Sequence, residues 1–262
     1  GGRPPALTMQ YETPWGLPTP VGGYAMAAMR HMHEFGTTSE QLAEVAVAAR
    51  AWAGLNAAAT HREPLSVSDV LASPMISDPL HLLDSCLVTD GGGAIVMTTA
   101  EHARALGVQP IHVRGFGEAH THWSIANMPD LAWHTAAERS GRDALRMAGV
   151  GLNAIDLVEI YDSFTITVLM TLEALGFCGR GESGRFVAEG RIAPGGSFPM
   201  NTNGGGLSYA HPGMYGIFLL IEAVRQLRHE CGERQVAGAS MALVHGTGGT
   251  LSSSATCILS RS

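Results

Sequence analysis

Three consecutive glycines, Gly204-Gly205-Gly206, precede His211-Pro212, and this run constrains the fold more than any other part of the chain. A backbone without Cβ atoms can take left-handed dihedrals and can approach a ligand closely. Pro212 fixes φ and favours the first turn of the apolar helix that we predict from Gly213 to Arg228. The run therefore predicts a rigid corner that presents the imidazole of His211 at the start of a helix.

Two further corners follow the same pattern. Tyr161 comes after the apolar strand 157–160 and before a helix, and His245 comes after the apolar strand 241–244. Sites in layered α/β proteins form just beyond the carboxyl ends of strands. We therefore expect Tyr161, His211 and His245 to lie in one pocket.

The hydrophobic periodicity predicts strands and helices that alternate over most of the chain. The predicted helices cover residues 21–35, 38–52, 100–106, 131–147, 165–175 and 213–228. The predicted strands cover residues 94–98, 110–118, 156–161, 241–244 and 255–260. Thr38 and Gln41 form a capping box for the second helix, while residues 1–20 and 54–80 are predicted to be loop-rich. This alternation favours a layered α/β fold.

Composition excludes several classes of protein. The formal net charge is −7 and there is no cationic tract, so neither nucleic acid nor a membrane is an expected partner. We find no signal peptide and no transmembrane run in the sequence, and the cysteine usage fits a reducing cytosol, so we expect a cytoplasmic protein. Widely spaced cysteines argue against disulfides and zinc, and we expect free, buried thiols. These are Cys86, Cys178, Cys231 and Cys257.

Four segments together resemble the thiolase superfamily. GGGLSYAHPG resembles its Gly-rich His-Pro segment. YDSF stands where thiolases carry Asn-Glu-Ala-Phe and where sterol-carrier-type thiolases carry His-Asp-Cys-Phe. HGTGG stands where thiolases carry Cys-x-Gly and where the sterol-carrier type carries His and glycines. LLDSCLVTDGGGAIVMTT, residues 82–99, is similar to the last strand of the family's N-terminal half.

The resemblance implies a thiolase-like layered α/β/α fold that contains the C-terminal half, the loop domain and the end of the N-terminal half. Residues 1–80 would form the loop and helical region, 81–108 the last strand and helix of the N-terminal domain, and 109–262 the C-terminal domain. The half that carries the family's nucleophilic cysteine would be truncated or supplied by another chain. A homodimer is also implied.

The resemblance further implies an enzyme that acts on acyl-CoA thioesters through an enolate. Coenzyme A would enter as part of the substrate, with no covalently bound cofactor and no metal. His211 would hold the enolate oxygen, because such an oxygen needs preorganised hydrogen-bond donors. His245 or Tyr161 would move the proton. The implied substrate-binding residues are Gly204, Gly205, Gly206, Gly248, Ser163 and Phe164.

The departures from the family pattern leave three alternatives open. His245 replaces the usual second cysteine, and Ser163 replaces the cysteine of the sterol-carrier type. Tyr161 and Tyr209 match tyrosines of thiolase-like retro-aldolases of steroid side chains, whereas His211-Pro212 matches true thiolases. The alternatives are an acyltransferase, a retro-aldolase of a β-hydroxyacyl-CoA, and a non-catalytic acyl-CoA-binding or scaffold subunit. The retro-aldolase branch also implies a small partner with an oligonucleotide-fold and zinc-ribbon domain.

Overall fold

A computed structural model describes residues 6–17 and 20–261. The described helices are α1 (Leu7–Tyr11), α2 (Val21–Phe35), α3 (Ser39–Gly54), α4 (Val67–Ala72), α5 (Ala100–Ala105), α6 (Thr135–Ala148), α7 (Thr165–Leu175), α8 (Ser183–Val187) and α9 (Gly216–Leu227). The described strands are β1 (Met75–Ser77), β2 (Leu80–His81), β3 (His112–His120), β4 (Leu157–Ile160), β5 (Met241–Gly248) and β6 (Ser253–Ser260). None of these helices combines the length and the hydropathy needed to cross a bilayer.

A four-stranded mixed sheet forms the centre of the C-terminal part, in the order β3-β6-β5-β4. β4 pairs with β5 in parallel, and β6 pairs with both β3 and β5 in antiparallel orientation. The β5–β6 hairpin is paired as far as Gly248 and Ser253. β5 therefore continues through the glycines at which the sequence predicted its end, because β6 supplies a partner for their backbone groups.

Helices cover both faces of this sheet, which confirms the predicted layered α/β fold. α9 packs on one face, where Ala242 and Val244 of β5 are buried. The other face carries Leu243 of β5 and is covered by α6 and α7. Side chains alternate between the two faces of a strand, so each residue of β5 can be assigned to one face or the other.

On the side of β3, the contact with α6 is formed almost entirely by backbone atoms. A Cβ atom at Gly115 would overlap the carbonyl oxygen of Ala144, and one at Gly117 would overlap that of Ser140. The helix backbone therefore lies directly on the strand, at a distance that only glycine permits.

The N-terminal region packs its helices against this core. α3 begins as predicted, since Thr38 Oγ1 accepts from the Gln41 N–H at 3.3 Å and the Gln41 side chain accepts from the Thr38 N–H at 3.1 Å. The prediction of loop over residues 1–20 is wrong for Leu7–Tyr11, which form α1. Residues 1–5, 18 and 19 lie outside the described residues.

The predicted strand at 94–98 is absent from the structure, although α5 follows it as expected. No strand among the described residues lies beside this segment to accept its hydrogen bonds. Its apolar side chains Val96 and Met97 are accordingly exposed, at 92% and 79%. The chain just before this segment crosses α9, because a Cβ atom at Gly93 would lie 2.6 Å from Cδ1 of Ile221. The domain boundaries drawn from the resemblance stay predictions.

Candidate active site

Tyr161 and His211 meet at the end of β4. Their ring centroids are 5.4 Å apart with an interplanar angle of 83°, an edge-to-face contact. Tyr215, at the start of α9, completes the cluster at 5.7 Å from Tyr161 and 6.0 Å from His211. The structure thus brings together two of the three corners that the sequence singled out.

His211 has an unused hydrogen-bonding atom. Its Nε2 is buried and has no partner among the described residues. Burial lowers the pKa of His211 below its ordinary value of 6.5, so the imidazole is neutral at pH 7. The backbone around it is fixed, since the His211 N–H donates to Thr89 Oγ1 at 3.0 Å. An orphan nitrogen on a fixed backbone is a ready contact for a polar ligand.

Tyr161 presents its phenol to the same corner. The hydroxyl donates to the Gly213 carbonyl at 3.3 Å, and burial raises the pKa of Tyr161 above its usual value of 10.0. The side chain is therefore a neutral phenol at physiological pH, able to donate a proton and to accept one through its oxygen.

The glycine run takes the left-handed conformations that the sequence predicts, with φ of +105° at Gly204 and +66° at Gly205. Its close approaches are to protein groups. A Cβ atom at Gly204 would lie 2.6 Å from Cβ of Ala53, and one at Gly205 would overlap Oδ2 of Asp162. A side chain at Gly204 or Gly205 would therefore meet α3 or Asp162, and the role of these glycines in substrate binding stays a prediction.

Asp162 is a residue that the sequence analysis did not select. Its carboxylate is fully buried and accepts from the N–H of Gly206 at 2.6 Å and of Leu207 at 3.2 Å. Burial raises its pKa to about 7, against the lowering effect of these hydrogen bonds. Its place beside Tyr161, together with three glycines that need an acceptor, was the available signal.

His245 does not join the pocket. It lies within β5 on the face covered by α6, where its ring is 5.9 Å from that of His134 and its Nδ1 is 2.8 Å from Thr256 Oγ1. Burial lowers the pKa of His245 to about 3. Tyr161 lies on the α9 face. The expected convergence of three corners is therefore corrected to two, because strand parity directs His245 to the opposite side of the sheet.

The remaining predicted site residues have mainly structural surroundings. Ser163 Oγ lies 3.0 Å from Thr167 Oγ1, and the buried Phe164 ring packs 4.5 Å from that of Tyr24. Gly248 pairs with Ser253 in the hairpin. The Tyr209 ring packs 5.9 Å from that of Phe218, which stacks on Tyr215 of the ring cluster. The substrate-binding role of Ser163, Phe164 and Gly248 stays a prediction.

Cys86 lies beside this corner. Its N–H donates to the Ser163 carbonyl at 3.0 Å. Burial, together with the nearby carboxylate of Asp162, raises the pKa of the Cys86 thiol to about 12. The thiol is protonated at pH 7, and a thiol in this state is a poor nucleophile.

A cavity lies beside Ser208, just after the glycine run. It has a volume of about 480 Å³ and is lined by Arg50, Gly54, Thr60, His61, Arg62 and Glu63. Arg50 Nε donates to Ser208 Oγ at 2.9 Å, and the His61 N–H donates to the Ser208 carbonyl at 3.0 Å. Two guanidinium groups around one cavity suit phosphate oxygens.

Comparison with known proteins assigns the family. The family model "Thiolase C-terminal domain-like" matches residues 117–261. An acetyl-CoA acetyltransferase of Methanothermobacter thermautotrophicus is 37% identical over 98% of this chain and 67% of its own length. The chain belongs to the thiolase superfamily. A 17-hydroxy-3-oxo-4-pregnene-20-carboxyl-CoA lyase of Mycobacterium tuberculosis is 38% identical over 92% of this chain and 62% of its own.

The solved structures agree with this thiolase assignment. The Ltp2-ChsH2(DUF35) aldolase superposes at a TM-score of 0.90 with 34% identity, over 99% of this chain and 69% of the other. A monomeric SCP2-thiolase-like protein from Mycobacterium smegmatis, at 22% identity and a TM-score of 0.69, shows the shared fold alone. This thiolase chain thus has both acyltransferases and CoA lyases among its relatives, and it spans about two thirds or less of their length.

Proposed function

We propose that this chain contributes the enolate-holding part of a site that cleaves a carbon–carbon bond in a β-hydroxyacyl-CoA by a retro-aldol reaction. The observation that carries the proposal is the edge-to-face contact of Tyr161 with His211, whose buried Nε2 has no partner within the described part of the chain. A neutral phenol and a neutral imidazole at one corner suit a reacting group that is uncharged in the substrate and gains charge only during reaction.

The retro-aldol step needs a place for one proton and one oxyanion. The β-hydroxyl proton leaves, the Cα–Cβ electrons move into the thioester to give its enolate, and the β-carbon becomes a carbonyl. A proton reaches Cα in the same step as this enolate character develops, so that atoms balance without an added reactant. His211 donates a hydrogen bond to the enolate oxygen, where charge accumulates. Tyr161 accepts the hydroxyl proton as it delivers its own to Cα, so the phenol is regenerated and is never a stable phenolate.

The acyl-CoA class is supported by the cavity beside Ser208. Its lining includes Arg50, His61 and Arg62 together with Glu63, and Ser208, to which Arg50 donates, lies shortly before His211 in the sequence. Coenzyme A carries its phosphates at a distance from its thioester, which fits a phosphate site apart from the reacting corner. Bidentate Arg–phosphate contacts would supply binding energy remote from the reacting carbons.

A thiolase-type acyltransfer is the second candidate, favoured by the similarity to the acetyl-CoA acetyltransferase over 98% of this chain. That chemistry uses a cysteine thiolate. The thiol of Cys86, whose pKa is raised to about 12, is not suited to this role. An acyltransferase would therefore need its nucleophile from elsewhere in the assembly.

We also propose that the chain works in a complex. The Ltp2-ChsH2(DUF35) aldolase and the benzoylsuccinyl-CoA thiolase subunit BbsB of Thauera aromatica are named as members of assemblies. A small zinc-ribbon and oligonucleotide-fold protein, a separate N-terminal thiolase half and a second copy of the chain are the partners that the resemblance implies. A non-catalytic scaffold remains the third alternative.

The deciding experiment supplies the purified assembly with a β-hydroxyacyl-CoA and, separately, with a β-ketoacyl-CoA plus free CoA. Retro-aldol activity appears as a carbonyl product and a shortened acyl-CoA from the first substrate alone. Turnover of the second substrate alone would replace the proposal with acyltransfer. Binding of both without turnover would favour the scaffold.

A further inference from the structure

We propose that Asp162 is the positioning residue for His211, and that its buried carboxylate holds the glycine turn in the conformation that sets the imidazole against Tyr161. The glycine turn is here the segment Gly204–Leu207. The kinetic arm of the test rests on the proposed function, whereas the spectroscopic arm does not.

The two oxygens of Asp162 act on successive residues of the turn. Oδ1 accepts from the Gly206 N–H at 2.6 Å, and Oδ2 accepts from the Leu207 N–H at 3.2 Å. Oδ2 also fills the place that a side chain at position 205 would occupy. The carboxylate therefore fixes both the direction of two amide groups and the space beneath the turn.

One glycine separates this carboxylate from the catalytic imidazole. A Cβ atom at Gly206 would lie 3.0 Å from Cδ2 of His211 and 3.1 Å from Oδ1 of Asp162. The Gly206 carbonyl is held from the other side by the Leu87 N–H at 2.9 Å. A shift of the turn toward or away from Asp162 would thus move the surface on which the His211 ring rests.

The groups around Asp162 make its hydrogen bonds to the glycine turn sensitive to pH. Asp162 forms no ion pair with any described residue, and the Asn201 side chain adds a hydrogen bond. The titratable groups that face it are Glu159 of β4, the adjoining Tyr161, Cys86 and Tyr215, with His211 beyond Gly206. None of them compensates the carboxylate, and burial raises the pKa of Asp162 to about 7. An ionised carboxylate accepts stronger hydrogen bonds than a protonated one.

The kinetic arm compares Asp162→Asn with Asp156→Asn. Asp156 is a matched control, because its carboxylate also accepts from two backbone N–H groups, those of Ser240 and Met241 at 2.8 and 2.9 Å, before β4 instead of after it. In Asp162→Asn an amide donor faces the turn, and we expect kcat to fall roughly a hundredfold while KM changes by less than about threefold. The wild-type kcat should rise as pH increases through 7, and this limb should disappear in Asp162→Asn but persist in Asp156→Asn. An unchanged limb in Asp162→Asn would overturn the proposal.

The spectroscopic arm needs neither turnover nor a variant. In the intact wild-type protein labelled with ¹⁵N-glycine and ¹⁵N-leucine, the Gly206 and Leu207 amide signals should titrate together near pH 7. The NOE between the His211 and Tyr161 rings should weaken on the acid side of the same titration. Amides that titrate with a constant NOE, or that do not titrate, would refute the positioning role. Failure of both substrates to react would count against the proposed function alone.

Discussion

His211 is, at the scale of single residues, the side chain whose removal should affect turnover most. In His211→Ala the developing enolate loses one preorganised donor, so kcat should fall by roughly a hundred- to a thousandfold with a smaller change in KM. Steady-state kinetics of the purified assembly measures this. His102→Ala is the control, because His102 is exposed on α5. Equal kinetics of His211→Ala and wild type would remove the catalytic assignment.

Tyr161→Phe separates the two enzymatic alternatives. The substitution keeps the ring contacts with His211 and Tyr215 and deletes the hydroxyl that donates to Gly213. A retro-aldolase should lose at least about a hundredfold in kcat, because the phenol carries the proton, whereas an acyltransferase should keep most of its activity. The exposed Tyr11 provides the control substitution, Tyr11→Phe. Retro-aldol turnover that survives in Tyr161→Phe would assign the proton transfer to another group.

His245 should affect acid stability and leave catalysis nearly unchanged. Its pKa is lowered from 6.5 to about 3 by burial, so the unfolded chain binds the proton more tightly than the folded one. The stability contributed by neutral His245 is therefore fully present above pH 6.5 and is lost as the pH falls toward 3. His245→Asn should flatten the decline of Tm over this window, as measured by thermal unfolding at several pH values. A large loss of kcat in this variant at pH 7 would contradict the structural role.

The glycine turn is, at the scale of elements, where a single methyl group should be most damaging. Gly205 has a φ of +66° and its Cβ would overlap Asp162, whereas Gly36 has a φ of +71° and open space around it. Both Gly→Ala substitutions incur backbone strain of about 1 kcal/mol or more. Only Gly205→Ala adds a steric conflict. Its free energy of unfolding, measured by chemical denaturation, should therefore fall further than that of Gly36→Ala. Equal losses of unfolding free energy in the two variants would show that the Asp162 side chain moves aside for the methyl group.

The sequence predicts those elements whose partners are local. α7 has the predicted bounds because every one of its residues is buried and Gly176 ends it, and the capping box fixes the start of α3. The end of β5 was misjudged because its glycines are held by the distant β6 hairpin. His245 could have been excluded from the parity of its strand, since Val244 faces α9. Asp162 was missed because the two amides that it holds, those of Gly206 and Leu207, lie far along the chain from it.

At the scale of the whole molecule, the segment 88–97 runs over α9 with exposed apolar side chains. A backbone without strand partners needs another hydrogen-bonding surface when its side chains are apolar. We expect its amides to exchange rapidly with deuterium in the isolated chain and slowly in the assembled protein. Hydrogen–deuterium exchange with mass spectrometry measures both states. Rapid exchange in the assembly as well would exclude this segment from the interface.

The bare contact of α6 with Gly115 and Gly117 has a consequence for how such a chain can vary. Where side chains fill an interface, a larger residue on one side can be offset by a smaller one on the other, so substitutions drift in pairs. Here the strand contributes only backbone, and no reciprocal change can make room. The inward face of β3 should thus stay invariant in a library selected for folding, while Phe116 and Glu118 on its outward face diversify.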